Sequence, residues 1–407
     1  MLFEILLFLC LGILFGICTG LIPGIHINLI GVFLISLAAS FLSFINPIYF
    51  VVFIVSMAIT HTFIDFIPSI FLGCPDTETE LSILPGHELL KKGRGYEAIT
   101  LTAYGSLAAI FVLLLIALPI TAFLEKFYDF IKILIPGLLI LASFFLISSE
   151  KKKINALIVF LLTGILGFLV LNLEIKEPLL PLLTGLFGSS MLIISIRDKI
   201  SIPKQKISKS KIKLFQPLLG ATFASPLCSF LPGLGSGQAA IIGNTFFKIL
   251  FSKTSQARDK DANRKNFLIL LGATNTLVMG VSFLALYAIA RTRTGATVAI
   301  SQIIGIMSKE ILILSLAIIL ISGIASFFLT LKLAKFLSKK ISKINYSLLC
   351  ELTLIVLILI VFLVSGFWGL LVLAASTILG IYCISLGVRR TNMMGCLLLP
   401  VLILYLF

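Results

Sequence analysis

Gly20-Leu21-Ile22-Pro23-Gly24-Ile25-His26 interrupts an apolar run that extends from about Leu2 to Leu42. The run is too long for one membrane crossing, which takes about 20 residues. Proline has no N–H and clashes with the carbonyl four residues back, and glycine frees the backbone. The pair therefore splits the run into two helical arms of a hairpin. A second long apolar stretch, Phe215 to Leu250, is broken in the same way at Leu231-Pro232-Gly233-Leu234-Gly235. Unwound backbone in lipid must be covered by protein or line a wet cavity. Two such breaks at matching places point to an all-α polytopic membrane protein with two related halves.

The rest of the chain fits this division. After the first hairpin, apolar runs of spanning length lie at about Pro47–Leu72, Ala98–Phe123, Ile131–Ser148, Ile154–Leu173 and Pro178–Ile196. After the second they lie at about Phe267–Ala290, Glu310–Leu331, Tyr346–Ser365, Phe367–Gly387 and Met393–Phe407. Between the sets, Arg197 to Lys213 carries seven positive charges and one negative. The expected domains are thus a membrane repeat over 1–196, a basic linker over 197–213 and a second repeat over 214–407. A hairpin returns to its own side, so each repeat makes an odd number of crossings. Consecutive copies of an odd unit lie upside down relative to each other. The fold class expected is two inverted-topology repeats, each a Pro-Gly-broken hairpin plus about five transmembrane helices.

Charge supports the parity. Glu150–Lys153, the linker, Phe251–Asn266, Lys332–Lys343 and Arg389–Arg390 are separated by even numbers of crossings and can share one side. Basic loops mark the cytoplasmic side of a plasma-membrane protein, which puts both termini outside. The chain has 407 residues, 59% hydrophobic and 12% charged, too apolar for a soluble fold. Its net charge of +15 sits in short loops, so it reads as topology rather than nucleic-acid binding. Glu4 with no Lys or Arg before the first run argues for a retained segment, not a cleaved signal. The seven cysteines form no CxxC pair and are expected to be packing residues.

Finer echoes connect the halves. Thr60-His61-Thr62 in one span matches Thr274-Asn275-Thr276 in its counterpart. Asp76-Thr77-Glu78-Thr79-Glu80 then matches Arg291-Thr292-Arg293-Thr294-Gly295, with the charge sign reversed. Three constellations follow. The first is the hairpin tips, where helix starts with free N–H groups attract anions. Gly24, His26 and Asn28 belong to one tip, and Gly233, Gly235, Ser236, Gly237 and Gln238 to the other. The second is His61 and Asp65, ionisable residues four apart on one face of an apolar span, a costly placement that suits proton or cation coupling. The alternative for this pair is a structural clip between helices. The third is Arg291 and Arg293, able to gather carboxylate or phosphate, with Asn275 on the same span. No metal-binding, nucleotide-binding or hydrolase motif is present, so a non-enzyme without metal or cofactor is expected, beyond a coupling Na+ or H+.

Gly20-Leu-Ile-Pro-Gly-Ile-His26, Phe230-Leu-Pro-Gly-Leu-Gly-Ser-Gly-Gln238 and Pro85-Gly-His-Glu-Leu-Leu-Lys-Lys-Gly-Arg94 together resemble the large permease subunit family of the tripartite tricarboxylate transporters. The resemblance covers almost the whole chain in layout and is closest to a divergent, stand-alone branch. It implies cation-coupled uptake of carboxylates, with a small membrane subunit and an external binding protein as partners. A small anionic substrate such as a di- or tricarboxylate is expected. The alternative is a polyprenyl-phosphate translocase, since similar tips serve lipid phosphates. Membrane lipids and a second copy of the chain are further candidate partners.

Overall fold

The structure, a computed structural model, describes residues 2–22, 31, 45–72, 79–148, 150–197, 202–207, 212–230, 235–251, 260–343 and 345–406. Every regular element among them is helical. The first half contains α1 (Leu2–Leu21), α2 (Pro47–Ile64), α3 (Phe66–Leu72), α4 (Ile83–Lys91), α5 (Gly95–Ser148), α6 (Lys153–Leu171), α7 (Leu179–Leu183) and α8 (Ser190–Arg197). The second contains α9 (Phe215–Phe230), α10 (Ser236–Phe251), α11 (Lys260–Ile289), α12 (Gly295–Ile304), α13 (Lys309–Lys340), α14 (Tyr346–Ser385) and α15 (Gly395–Leu406).

Eight helical stretches among the described residues are long and apolar enough to cross a membrane. Their outward residues, such as Leu115, Leu118, Ile133 and Leu363, are exposed yet apolar, as lipid-facing residues must be. The protein is therefore a multi-pass membrane protein. The count is lower than the sequence suggested, for three reasons. α5 runs on as one helix of 54 residues where a break was expected between Phe123 and Ile131. Glu125, Lys126 and Asp129 made that stretch look like a loop, but nothing there ends a helix. α14 holds both expected spans, Tyr346–Ser365 and Phe367–Gly387, in one unbroken stretch of chain that leaves helical geometry between them at Gly366, whose φ of 66° is the glycine-favouring left-handed region. Val361 and Leu373, on either side of that kink, share one buried cluster with Leu180. The last helix, α15, has only 12 residues.

Small residues set the helix spacing. Gly12, Gly16 and Gly20 on α1 face Ser56, Thr60 and Ile64 on α2 so closely that any Cβ would collide. A glycine every fourth residue lets backbones approach where lipid supplies no hydrophobic drive between helices. Both series advance together, so α1 and α2 run parallel, and the end of α1 and the start of α2 lie at opposite ends of the pair. α5 and α11 are likewise parallel and close. Gly105 meets Ile269, Gly272 meets Thr102 and Gly280 meets Leu113, while Ser106 Oγ donates to Gly272 O at 3.0 Å.

Polar contacts tie several of the charged loops to one another. Arg94 donates to Glu97 and to Asp261, and Lys265 pairs with Glu97 at 2.9 Å. Arg264 pairs with Glu88. Gln205 in the linker accepts from Gly95 N at 2.7 Å, and Lys206 N donates to Gly93 O at 2.7 Å. Arg389 pairs with Glu150 at 3.3 Å. Arg94 beside two carboxylates has its pKa raised, the hydrogen bond it donates to Glu97 being the main cause. The cysteines divide: Cys228, Cys350, Cys383 and Cys396 are buried packing residues, whereas Cys10 and Cys18 are exposed on the lipid side of α1. That corrects the expectation for the latter two, because the opposite, glycine-bearing stripe of α1 makes the contacts.

Candidate functional site

Two spans occupy the centre. Over their most apolar stretch, 94% of residues are buried both in Pro47–Leu72 and in Asp261–Ile289, against 22% in Leu2–Leu21. These two spans carry the matched Thr-x-Thr sequences. A helix apolar on every side belongs inside the protein, and these two satisfy that rule except at a few polar positions.

Those polar positions meet. Thr62 Oγ1 lies 3.2 Å from Thr276 Oγ1. Asn275 Nδ2 donates to Asp65 Oδ2 at 2.8 Å and to the Thr62 carbonyl at 3.3 Å. On the other flank, His61 Nδ1 lies 3.2 Å from Thr19 Oγ1 on α1. Thr19 Oγ1 also donates to Gly16 O at 3.3 Å. Ser326 Oγ on α13 donates to Thr60 Oγ1 at 2.9 Å. His61 and Asp65 are each 3% exposed, which makes them ionisable groups in a protein interior.

Asp65 sits where the central span is broken. Pro68 offers no N–H to the Ile64 carbonyl, so α2 stops at Ile64 and α3 starts at Phe66. Asp65 N still donates to His61 O at 3.0 Å, and its carbonyl receives Ser69 Oγ at 2.7 Å. Ser69 Oγ lies 2.6 Å from Thr79 Oγ1, at the entry to α4. The second half repeats this device: Ser282 Oγ lies 3.5 Å from Thr294 Oγ1, at the entry to α12. Ser82 Oγ bonds the Thr79 carbonyl as Thr297 Oγ1 bonds that of Thr294. Each short helix also crosses to the other half's central span, α4 to α11 and α12 to α2.

The other sequence-selected residues fall as follows. Gly24, His26, Asn28 and Gly233 lie outside the described residues, as do Pro23, Pro232, Asp76 and Glu78. Gly235, Ser236, Gly237 and Gln238 form the buried start of α10. Gln238 Oε1 accepts from Gly235 N at 2.7 Å, a one-way cap because glycine has no side chain to return the bond, while its Nε2 is buried without a hydrogen-bond partner. Asn275, expected near substrate, donates its Nδ2–H to Asp65. Arg291 is exposed at the end of α11, and Arg293 is half-buried ahead of α12, its N–H donating to Thr297 Oγ1. They lie more than four helical turns along the chain from Asn275. Thr19, Ser326, Ser69 and Thr79 were not anticipated. The glycine series in α1 was the available signal for Thr19, since it fixes which face of α1 meets α2. Among the described residues, no three His, Cys, Asp or Glu side chains gather as a metal site.

The chain matches the model of the tripartite tricarboxylate transporter TctA family over residues 6–395. It is also 32% identical, over 368 residues, to an uncharacterized protein of Methanocaldococcus jannaschii, MJ1079, covering 88% of this chain and 89% of that one. No solved structure matches it. A family match over nearly the whole length, on a bundle with two matched central spans, identifies the chain as a permease component belonging to the tripartite tricarboxylate transporter TctA family.

Proposed function

We propose that the protein is a secondary transporter in the plasma membrane that takes up a small organic anion, such as a di- or tricarboxylate, together with a cation. The observation that carries this is His61 and Asp65, buried at the meeting point of the two central spans. Ionisable groups at such depth are costly and are kept where ions or protons move. The anion site is assigned to the two hairpin tips, with Ser236, Gly237 and Gln238 at the start of α10 supplying N–H donors. The buried, unpartnered Gln238 Nε2 supports that assignment. Arg291 and Arg293 serve as an outer collecting site, weaker because Arg291 is exposed.

The reciprocal packing of α4 on α11 and α12 on α2 supports an inverted duplication over 1–196 and 214–407. The family's tripartite character supports a small membrane subunit and an external binding protein as partners. The test is uptake by reconstituted vesicles of labelled citrate and succinate, with a polyprenyl phosphate as competitor. Accumulation driven by a proton or sodium gradient is expected. Competition by the lipid phosphate alone moves the function to a lipid-carrier translocase, and exclusive competition by neutral or cationic solutes refutes anion transport.

A further inference from the structure

Thr62 and Thr276 occupy the same place in the two matched sequences, and they touch each other. In a two-fold arrangement a residue meets its own counterpart only at the axis. The seam between α2 and α11 is therefore the line about which the two halves are related. Beside it the relation breaks. Asp65 has Met279 as its counterpart and His61 has Asn275. Among the described residues, the carboxylate on the seam thus comes from one half, and its amide donor comes from the other. The bond from Asn275 Nδ2 to Asp65 Oδ2 ties the halves together at their axis.

The strength of that tie depends on charge. A carboxylate accepts an N–H bond about twice as strongly as a neutral carboxyl group does. Adding a proton to Asp65 converts an acceptor-only group into one that carries its own O–H donor. The described elements packed on α2 bring no other charged group to this depth. α1 supplies Thr19, α11 Asn275 and α13 Ser326. Their charges are Glu4 on α1, Glu97 at the start of α5 with Glu125, Lys126 and Asp129 further along it, Asp261, Arg264 and Lys265 near the start of α11, Arg293 ahead of α12, and Lys309, Glu310, Lys332, Lys335, Lys339 and Lys340 on α13, all six of the last exposed. Among the described residues, His61, four positions back on the same helix face, is a titratable neighbour.

We infer that the Asp65–Asn275 bond is a proton-sensitive latch across the inter-repeat axis, closed when Asp65 is ionised and released when it is protonated. This rests on His61 and Asp65 being the coupling pair, and it assigns the proton as the coupling ion and Asn275 as the residue through which the second half senses it. Release of the latch loosens the Thr62–Thr276 seam, which is the motion two inverted halves need to exchange access.

The test needs no substrate. In a variant free of native cysteines, Thr62→Cys with Thr276→Cys reports the seam. Ser69→Cys with Thr79→Cys reports packing inside the first half. Disulfide formation is timed for both pairs, and the ratio of the two rates cancels thiol chemistry. With Asp65 present, the ratio is expected to fall on acidification. Asp65→Asn is expected to be about tenfold slower at the seam and insensitive to pH, and Asn275→Ala equally slow. Unchanged seam rates in both variants would overturn the latch while leaving anion transport untouched. Equal slowing of both pairs would overturn it too, as general loosening. Slowing in Asn275→Ala alone would show that charge on Asp65 is not the signal. A seam that responds to sodium and not to acid would overturn the choice of ion.

Discussion

The central spans of the two halves have the same burial, the same Thr-x-Thr sequence and the same hydroxyl contact to a short helix, yet in their buried middle only the first carries ionisable side chains. Thr60-His61-Thr62 is followed by Asp65 in one, and Thr274-Asn275-Thr276 by Met279 in the other. The first is broken by Pro68 next to Asp65, whereas the second continues as one helix to Ile289. What the two share sets architecture, and what only one has sets chemistry. In the transport cycle proposed above, such a frame would supply two faces for alternating access, and the one buried ionisable pair would give the cycle one coupling event. Keeping the second copy neutral also avoids burying another charge.

The largest effect should come from making the halves alike. Asp65→Asn removes the carboxylate while leaving shape intact. Gradient-driven accumulation in vesicles should fall to the background level, while exchange of labelled for unlabelled substrate persists. Undiminished accumulation would reduce the pair to a structural clip and erase the functional side of the contrast.

Next in size is the shared frame. Gly272 meets the Thr102 backbone across the halves. Gly272→Val has no flexible neighbour to displace and should cost about 2–3 kcal/mol, seen as a lower unfolding temperature in detergent. Gly16→Val, within the first half, should cost a similar amount. A large difference between them would show that one interface dominates stability.

The short helices sharpen the comparison through pH. α4 carries His87, and α12 has no titratable residue. Burial lowers the His87 pKa to about 4, with Lys91 and Arg390 adding to the shift. The folded state resists a proton that the unfolded state takes up below about 6.5, so stability rises with pH across this window and is lost as pH falls towards 4. The loss should reach roughly 3 kcal/mol, and His87→Gln should flatten that part of the stability–pH curve. A curve unchanged by the substitution would place the acid sensitivity elsewhere.

The smallest effect concerns Thr294, which caps α12 and closes a reciprocal box with Thr297. Thr294→Val should destabilise by about 1 kcal/mol. Transport should slow if α12 must hold its place against α2, and thermal unfolding together with initial uptake rates will separate the two outcomes.

The membrane class and the burial of His61 and Asp65 within an apolar span were legible in the sequence because each rests on local chemistry: run length against bilayer thickness, and ionisable side chains against an apolar surround. The periodic glycines of α1 were equally visible but did not by themselves name a partner. Which helix received them, and so which hydroxyl reached His61, followed from packing distances that no linear pattern encodes. Asn275 shows the limit most clearly. Its place opposite His61 in the repeat was evident, but its bond to Asp65 depends on how α11 is set against α2. The continuity of α5 was also decided by tertiary structure, because charged residues that look like a loop are compatible with helix when the ends of that helix are held by their neighbours. Sequence thus determined which buried positions carry ionisable side chains, and the packing of the helices decided which neighbours those side chains meet.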